Sequence, residues 1–125
     1  MKRIVIALFA VLLFASCGKQ PSIVGTWRVT GYSNGTDATR DVVTYSFQKD
    51  NSGRATIEYE NDSVEVVELV WNMVGDTLVF YDVTHDSEEP TMPAVMLVEK
   101  LDKEEMTWLF LIVGDIRIWL HRVGD

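Results

Sequence analysis

Cysteine and histidine are scarce in this chain of 125 residues, which has one cysteine and two histidines. A single cysteine excludes an internal disulfide, a zinc site built from several thiolates and a Cys-x-x-Cys redox motif. The sequence also lacks the GxSxG and HExxH motifs and a glycine-rich phosphate loop. We therefore predict that the protein is not an enzyme and carries no cofactor or metal ion.

Basic residues are few, because 11 Lys and Arg stand against 19 Asp and Glu, giving a net charge of −8. Residues 1–16 contain Lys2 and Arg3 and no acid, so the chain after position 16 has a net charge of −10. No basic cluster remains there, which argues against nucleic-acid binding and against a polybasic membrane contact.

The longest run without a polar side chain is residues 4–15, which is shorter than the ~20 residues of a transmembrane helix. Together with Lys2 and Arg3 it is typical of a signal peptide. The run leads into Phe-Ala-Ser-Cys at residues 14–17, which resembles a bacterial lipobox, although Phe14 stands where leucine is commoner. Serine before the cysteine resembles lipoproteins of the Bacteroidetes. The alternative is a plain secretory signal followed by a chance cysteine.

The lipobox implies that Cys17 becomes the first residue of the mature chain and takes a lipid anchor. Two or three acyl chains, at ~0.8 kcal/mol per buried methylene, would hold the protein on a membrane. The predicted organisation is a signal peptide (1–16), a lipidated tether (17–22) and one domain (23–125). Because no acidic run follows Cys17, we predict attachment to the outer membrane or cell envelope on the periplasmic face.

After Gly25 the apolar residues mostly alternate with period two, and no stretch of ten residues has a helical stripe. The segments are rich in β-branched and aromatic residues and are separated by Gly, Asn and Asp. We predict eight strands, at 25–32, 42–48, 54–60, 63–74, 77–83, 94–101, 106–113 and 116–123.

Two strands have irregular patterns. Val64 and Val66 are out of phase with Val67 and the apolar residues after it, so we predict a one-residue bulge near Val66 that brings both sets to one face. Arg122 shares the apolar face of the last strand and therefore needs a partner.

Eight antiparallel strands with short hairpins predict an all-β fold, an up-and-down barrel that leaves no exposed edge. Such a barrel is filled by side chains or holds one small ligand. A two-sheet sandwich is the competing fold.

Four segments in order carry a resemblance to a known family: Gly-Thr-Trp at 25–27, Gly-Asp-Thr-Leu at 75–78, residues 101–106, and Leu-His-Arg at 120–122. They resemble the small lipocalin-like lipoproteins of Bacteroidetes over about residues 23–123. The resemblance implies that Trp27 plugs one end of the barrel and that Arg122 lies across it, gaining ~1–2 kcal/mol if desolvated. Gly25 would allow close backbone approach at that end. The alternative is that Trp27 is only a core aromatic.

The resemblance also implies a ligand cavity inside the barrel. The large residues on the phases predicted to point inward are Tyr45, Tyr59, Trp71, Met73 and Trp108. The alternative is that these side chains fill the barrel and leave no cavity.

Two further patterns are less specific. Acidic residues and His85 in the segment 82–89 could hold a cation, but a solvated acidic loop fits the spacing better. Asp-Ser-Val at 62–64 and Asp-Thr-Leu at 76–78 resemble Bacteroidetes O-glycosylation sites, with Ser63 and Thr77 as acceptors.

The leading hypothesis is a lipocalin-like lipoprotein of the cell envelope that binds a small hydrophobic or amphipathic ligand. The alternative is an envelope lipoprotein with a filled barrel that binds a protein partner, such as a protease inhibitor or an assembly component.

Overall fold

The computed structural model describes residues 22–84, 92–112 and 115–124. They form eight antiparallel strands in a closed barrel, each strand paired with the next along the chain and the first paired with the last. The all-β, up-and-down barrel is thus confirmed over the sandwich, and the described residues contain no helix.

The strands follow the predicted ones closely, with two of them at identical bounds. They are β1 (Gly25–Tyr32), β2 (Val42–Phe47), β3 (Ser52–Glu58), β4 (Val64–Val74), β5 (Thr77–Asp82), β6 (Ala94–Leu101), β7 (Glu105–Phe110) and β8 (Ile116–Gly124).

Short turns with residues in the left-handed region join most of the strands. Asn51, Asp62, Gly75 and Asp115 all have positive φ, and these are residue types that tolerate that conformation. The local sequence therefore fixes where each hairpin reverses.

The bulge predicted near Val66 is absent, so this prediction is wrong. β4 pairs with β3 from Val64 to Val70 without a shift, and Val64 and Val66 point outward, 58% and 43% exposed. Register shifts occur instead in β1, between Thr26 and Trp27 and again after Val29, and in β6 after Val98.

Large side chains fill the interior of the barrel. The most completely buried ones, at 1% exposure or less, are Trp27, Phe47, Leu78, Met106 and Trp108. Because these side chains are closely packed, they leave no space for a ligand between them, and a binding site would lie at one of the two ends of the barrel.

The two ends differ in their connections. The chain enters at one end, where the turns 48–51, 75–76 and 102–104 also lie; we call it the closed end. At the other end, here the open end, lie the long connection 33–41 and the turn 59–63, and β5 and β7 end there.

Candidate functional site

At the closed end, Arg122 connects the residues that precede β1 to the barrel. Its guanidinium carbon lies 4.3 Å from the centroid of the Trp27 ring. Its three nitrogens donate to backbone carbonyls, Nε to Lys103 (2.7 Å), Nη1 to Val24 (2.8 Å) and Nη2 to Ser22 (2.7 Å). The arginine on the apolar face of the last strand is therefore fully engaged, as a buried or half-buried cation must be.

Trp27 and Gly25 complete this end. The Trp27 indole is wholly buried and its Nε1 donates to the Ile23 carbonyl at 2.8 Å. Gly25 has φ +136°, and a Cβ there would collide with Nη1 of Arg122. Only glycine fits both the backbone conformation and the approach of the guanidinium.

A cluster of aromatic rings occupies the interior above this end. Tyr45, Phe47, Phe80 and Trp108 contact one another with centroid separations of 5.1–6.4 Å, and Trp71 joins through Phe47 at 5.5 Å. Tilted and edge-to-face geometries of this kind stabilise a core beyond the area that they bury.

Trp71 is fixed by hydrogen bonds at the 48–51 turn. Its Nε1 donates to the carbonyls of Ser52 (2.8 Å) and Gln48 (3.2 Å). A Cβ on Gly53 would lie 3.4 Å from the Trp71 ring and 2.8 Å from the Ser46 carbonyl. Trp71 is therefore a structural ring that shapes the hairpin.

Trp108 differs from the other two buried indoles. It is wholly buried, yet its Nε1–H has no hydrogen-bond partner among the described residues. A buried donor left without an acceptor costs about 1–3 kcal/mol, so such groups are rare in folded proteins and call for an explanation.

Tyr45 lies against Trp108 at a ring separation of 5.1 Å and is itself only partly buried. Desolvation, with a smaller contribution from nearby Tyr32, raises the pKa of Tyr45 to about 12. Burial also raises the pKa of Tyr32, with Asp41 as the second cause. Both phenols therefore stay neutral at any physiological pH and act as hydrogen-bonding groups in apolar surroundings.

Partly buried apolar side chains pack against the core toward the open end. Phe110 and Ile116 lie at the open-end edges of β7 and β8, while Trp108 and Ile118, the next inward residues along those strands, are buried. The partly buried apolar residues of this end that pack against the core are Tyr32, Ala38, Val43, Tyr45, Val67, Ala94, Phe110 and Ile116. We call this set the open-end lining.

The structure does not bring the five predicted ligand residues into one site. Tyr45 and Trp108 are in contact, and Trp71 reaches them through Phe47. Met73 is partly buried near the 75–76 turn of the closed end. Tyr59 lies beyond the end of β3, where its hydroxyl donates to the Glu65 carboxylate at 2.5 Å. That hydrogen bond is the main cause of the raised pKa of Tyr59.

Sequence reasoning missed the rest of the open-end lining. Phe110 shares the phase of Met106 and Trp108, so the alternation in β7 contained the signal for it. No such pattern marked Tyr32. The register shift after Val29 changes which residues of β1 point inward, so Tyr32 points inward although it is out of phase with Trp27 and Val29.

The two candidate glycosylation residues occupy different surroundings. Ser63 is exposed in the 59–63 turn, and its hydroxyl donates to Oδ1 of Asn61 at 2.6 Å. It lines a shallow surface hollow with Asp41, Tyr59 and Glu60. Thr77 is half-buried at the start of β5, paired with Leu97.

Other sequence predictions lie outside the described residues, notably Cys17 with the signal peptide and most of the acidic loop with His85. Across 22–84, 92–112 and 115–124 there is no group of three or more His, Cys, Asp or Glu side chains placed to hold a metal ion. The same residues include no helix with the length and hydropathy needed to cross a bilayer.

Solved structures share this fold. A lipocalin-like protein from Bacteroides uniformis aligns with a TM-score of 0.64 and 15% sequence identity, covering 81% of this chain and 98% of that one. An uncharacterized protein from Bacteroides eggerthii aligns with a TM-score of 0.64 and 17% identity, covering 82% and 100%. No protein-family model and no curated protein matches the chain. At these identities the likeness establishes the lipocalin-like barrel fold and does not extend to a ligand.

Proposed function

We propose that this protein is an envelope lipoprotein, anchored through Cys17, whose barrel binds a small apolar or amphipathic molecule at the open end. The observation that carries the proposal is the buried indole N–H of Trp108, which has no hydrogen-bond partner among the described residues and whose ring contacts the partly covered Tyr45. An apolar lining with a few polar groups that fix orientation is the usual composition of a small-molecule site.

The position of the ring cluster limits where the ligand can lie. Phe47 and Trp108 are wholly buried in the middle of the barrel, and Trp27 fills the closed end. The ligand therefore lies against the open-end lining, and the deeper interior stays filled.

The chemistry of the lining defines the class of ligand. Apolar side chains favour a hydrocarbon or aromatic body, and the Trp108 N–H favours one carbonyl, ether or carboxyl oxygen on it. Neutral Tyr45 can donate or accept a second hydrogen bond, because its pKa of about 12 keeps the proton on the phenol.

Native mass spectrometry of the chain, purified gently from the envelope of cells that express it, tests this proposal. We expect a reproducible adduct of small-molecule mass that is lost on denaturation. A Trp108→Phe variant keeps most of the ring volume but lacks the N–H, so its adduct should be weaker. Trp71→Phe is the matched control, since the Trp71 N–H already has backbone acceptors. An unliganded mass even after incubation with envelope lipid extract would refute the carrier function.

The second candidate function is binding of a protein partner by a barrel that holds no ligand. The filled interior of the barrel favours it, because five large side chains there are almost completely buried. An unliganded mass together with co-purification of one protein in stoichiometric amount would favour this function over the carrier.

The anchor has its own test. Replacing Cys17 by Ser should abolish acylation and leave the chain in the soluble fraction, whereas the wild-type chain should sediment with membranes and carry lipid at its N-terminus. An intact Cys17 thiol on the mature wild-type chain would contradict the lipoprotein prediction.

A further inference from the structure

Much of the outer surface of strands β4 to β7 is apolar although it faces solvent, with Asn72 and Thr77 as polar residues among the apolar ones. Registered pairs place Val70 beside Tyr81, Val79 beside Val95 and Leu97 beside Leu109. We call this outward set the apolar face: Val70, Val74, Val79, Tyr81, Val95, Leu97, Leu109 and Leu111. Four of its members, Val70, Val74, Tyr81 and Leu111, are each 45–65% exposed.

Folding does not require this composition. The outward positions of β1 to β3 lie on the same pleated barrel, yet they are mostly polar: Thr26, Arg28, Thr44, Ser46, Arg54, Thr56 and Glu58. Strands that are apolar on both faces are typical of sheets covered on both sides. In β4 to β7, the barrel interior covers only the inward side chains. The outward apolar side chains have no second layer packed on them in the part of the chain that the structure describes.

Two ion pairs flank the apolar face. Arg117 donates to both carboxylate oxygens of Glu99, at 2.8 and 3.2 Å. Arg54 donates to Glu68 at 2.9 Å along the opposite margin. Because these flanking charges are paired, a strongly charged partner would gain little from them, whereas a second copy would meet the face with the same uncharged side chains.

The size of the face sets the strength of the contact. Four strands at ~4.8 Å spacing and about six residues at ~3.3 Å rise cover on the order of 400 Å². A standard interface buries about 800 Å² per partner. The face can therefore supply about half of a standard interface, which suits a weak dimer that forms as the concentration rises.

We infer that a second copy of this chain docks on the apolar face, so that the same eight side chains of each copy pack together in a two-fold symmetric dimer. Isologous contacts of this kind are the commonest form of self-association. The inference rests on the outer surface and is independent of the open-end ligand.

Sedimentation velocity on the full chain in mild detergent, over a hundredfold range of concentration, tests the dimer. Val79→Glu places a carboxylate near the middle of the face, and Thr44→Glu places one at an outward, similarly half-buried position of the polar surface. We expect the wild-type chain and Thr44→Glu to pass from monomer to dimer, and Val79→Glu to need at least tenfold higher concentration. Far-UV circular dichroism checks that both variants keep the barrel.

Cysteine cross-linking in intact cells identifies the occupant. Val79→Cys should give a disulfide-linked band at the mass of two chains, and Thr44→Cys and the wild-type chain should not. A monomer at all concentrations, equal cross-linking of the two variants, or a Val79→Cys product containing a different protein would each overturn the inference.

Discussion

The two ends of the barrel differ in how completely their polar groups are satisfied. At the closed end, Arg122 donates to three carbonyls and the Trp27 N–H donates to Ile23. In the barrel interior, the Trp108 N–H is buried without an acceptor among the described residues, and Tyr45 is incompletely covered. Two indoles that are both wholly buried thus differ in their hydrogen bonding, since one is paired with a carbonyl and the other has no acceptor in the described part of the chain.

The largest effect is expected at the closed end. Trp27→Ala removes a wholly buried ring and its hydrogen bond, and should lower the free energy of unfolding by about 3–5 kcal/mol. Urea unfolding followed by far-UV circular dichroism measures it. A loss under ~1 kcal/mol would show that the closed end is not the stable end.

Alkaline pH tests the burial of Tyr45, which belongs to the open-end lining. The pKa of Tyr45 is raised from 10 to about 12 by burial, so the folded state favours the neutral phenol. The stabilisation is complete below pH 10 and is lost as the pH rises from 10 to 12, by about 2–3 kcal/mol for this group. Tyr45→Phe should remove that part of the alkaline loss, and exposed Tyr81→Phe should not. Equal profiles for both variants, from urea unfolding at pH 8 to 12, would contradict the burial of Tyr45.

A smaller loss is expected when the guanidinium is removed. Arg122→Met keeps an apolar stem over Trp27 but removes three hydrogen bonds and the cation–π contact, and should cost about 2 kcal/mol. Arg28→Met, on the outer surface of β1, is the control and should change unfolding by less than ~0.5 kcal/mol. If the two substitutions cost the same in urea unfolding, Arg122 does not fasten the closed end.

The smallest effect is expected for Trp108→Phe. Removing the N–H also removes an unsatisfied buried donor, which offsets the lost ring volume, so the net change should stay within about 1.5 kcal/mol. A loss of 3 kcal/mol or more on thermal or urea unfolding would mean that the Trp108 N–H has a partner.

The sequence was sufficient for the fold because hairpin turns and the period-two pattern are local signals. The bounds of β1 and β6 follow from them directly, and residues such as Asn51 and Asp62 mark the turns. The site was less predictable, because register shifts depend on pairing between distant strands. The shift after Val29 turns Tyr32 inward, and the early end of β3 leaves Tyr59 in a turn.

Selective ¹⁵N labelling of the four tryptophans gives the most direct test of the open-end site. Each indole N–H gives one NMR cross-peak, which single Trp→Phe variants assign. On adding envelope lipid extract, we expect the Trp108 peak to move downfield because its N–H gains an acceptor, while the Trp27 peak stays in place. A Trp108 peak that does not move, in the presence of a ligand bound according to mass spectrometry, would contradict the proposal that Trp108 holds the ligand.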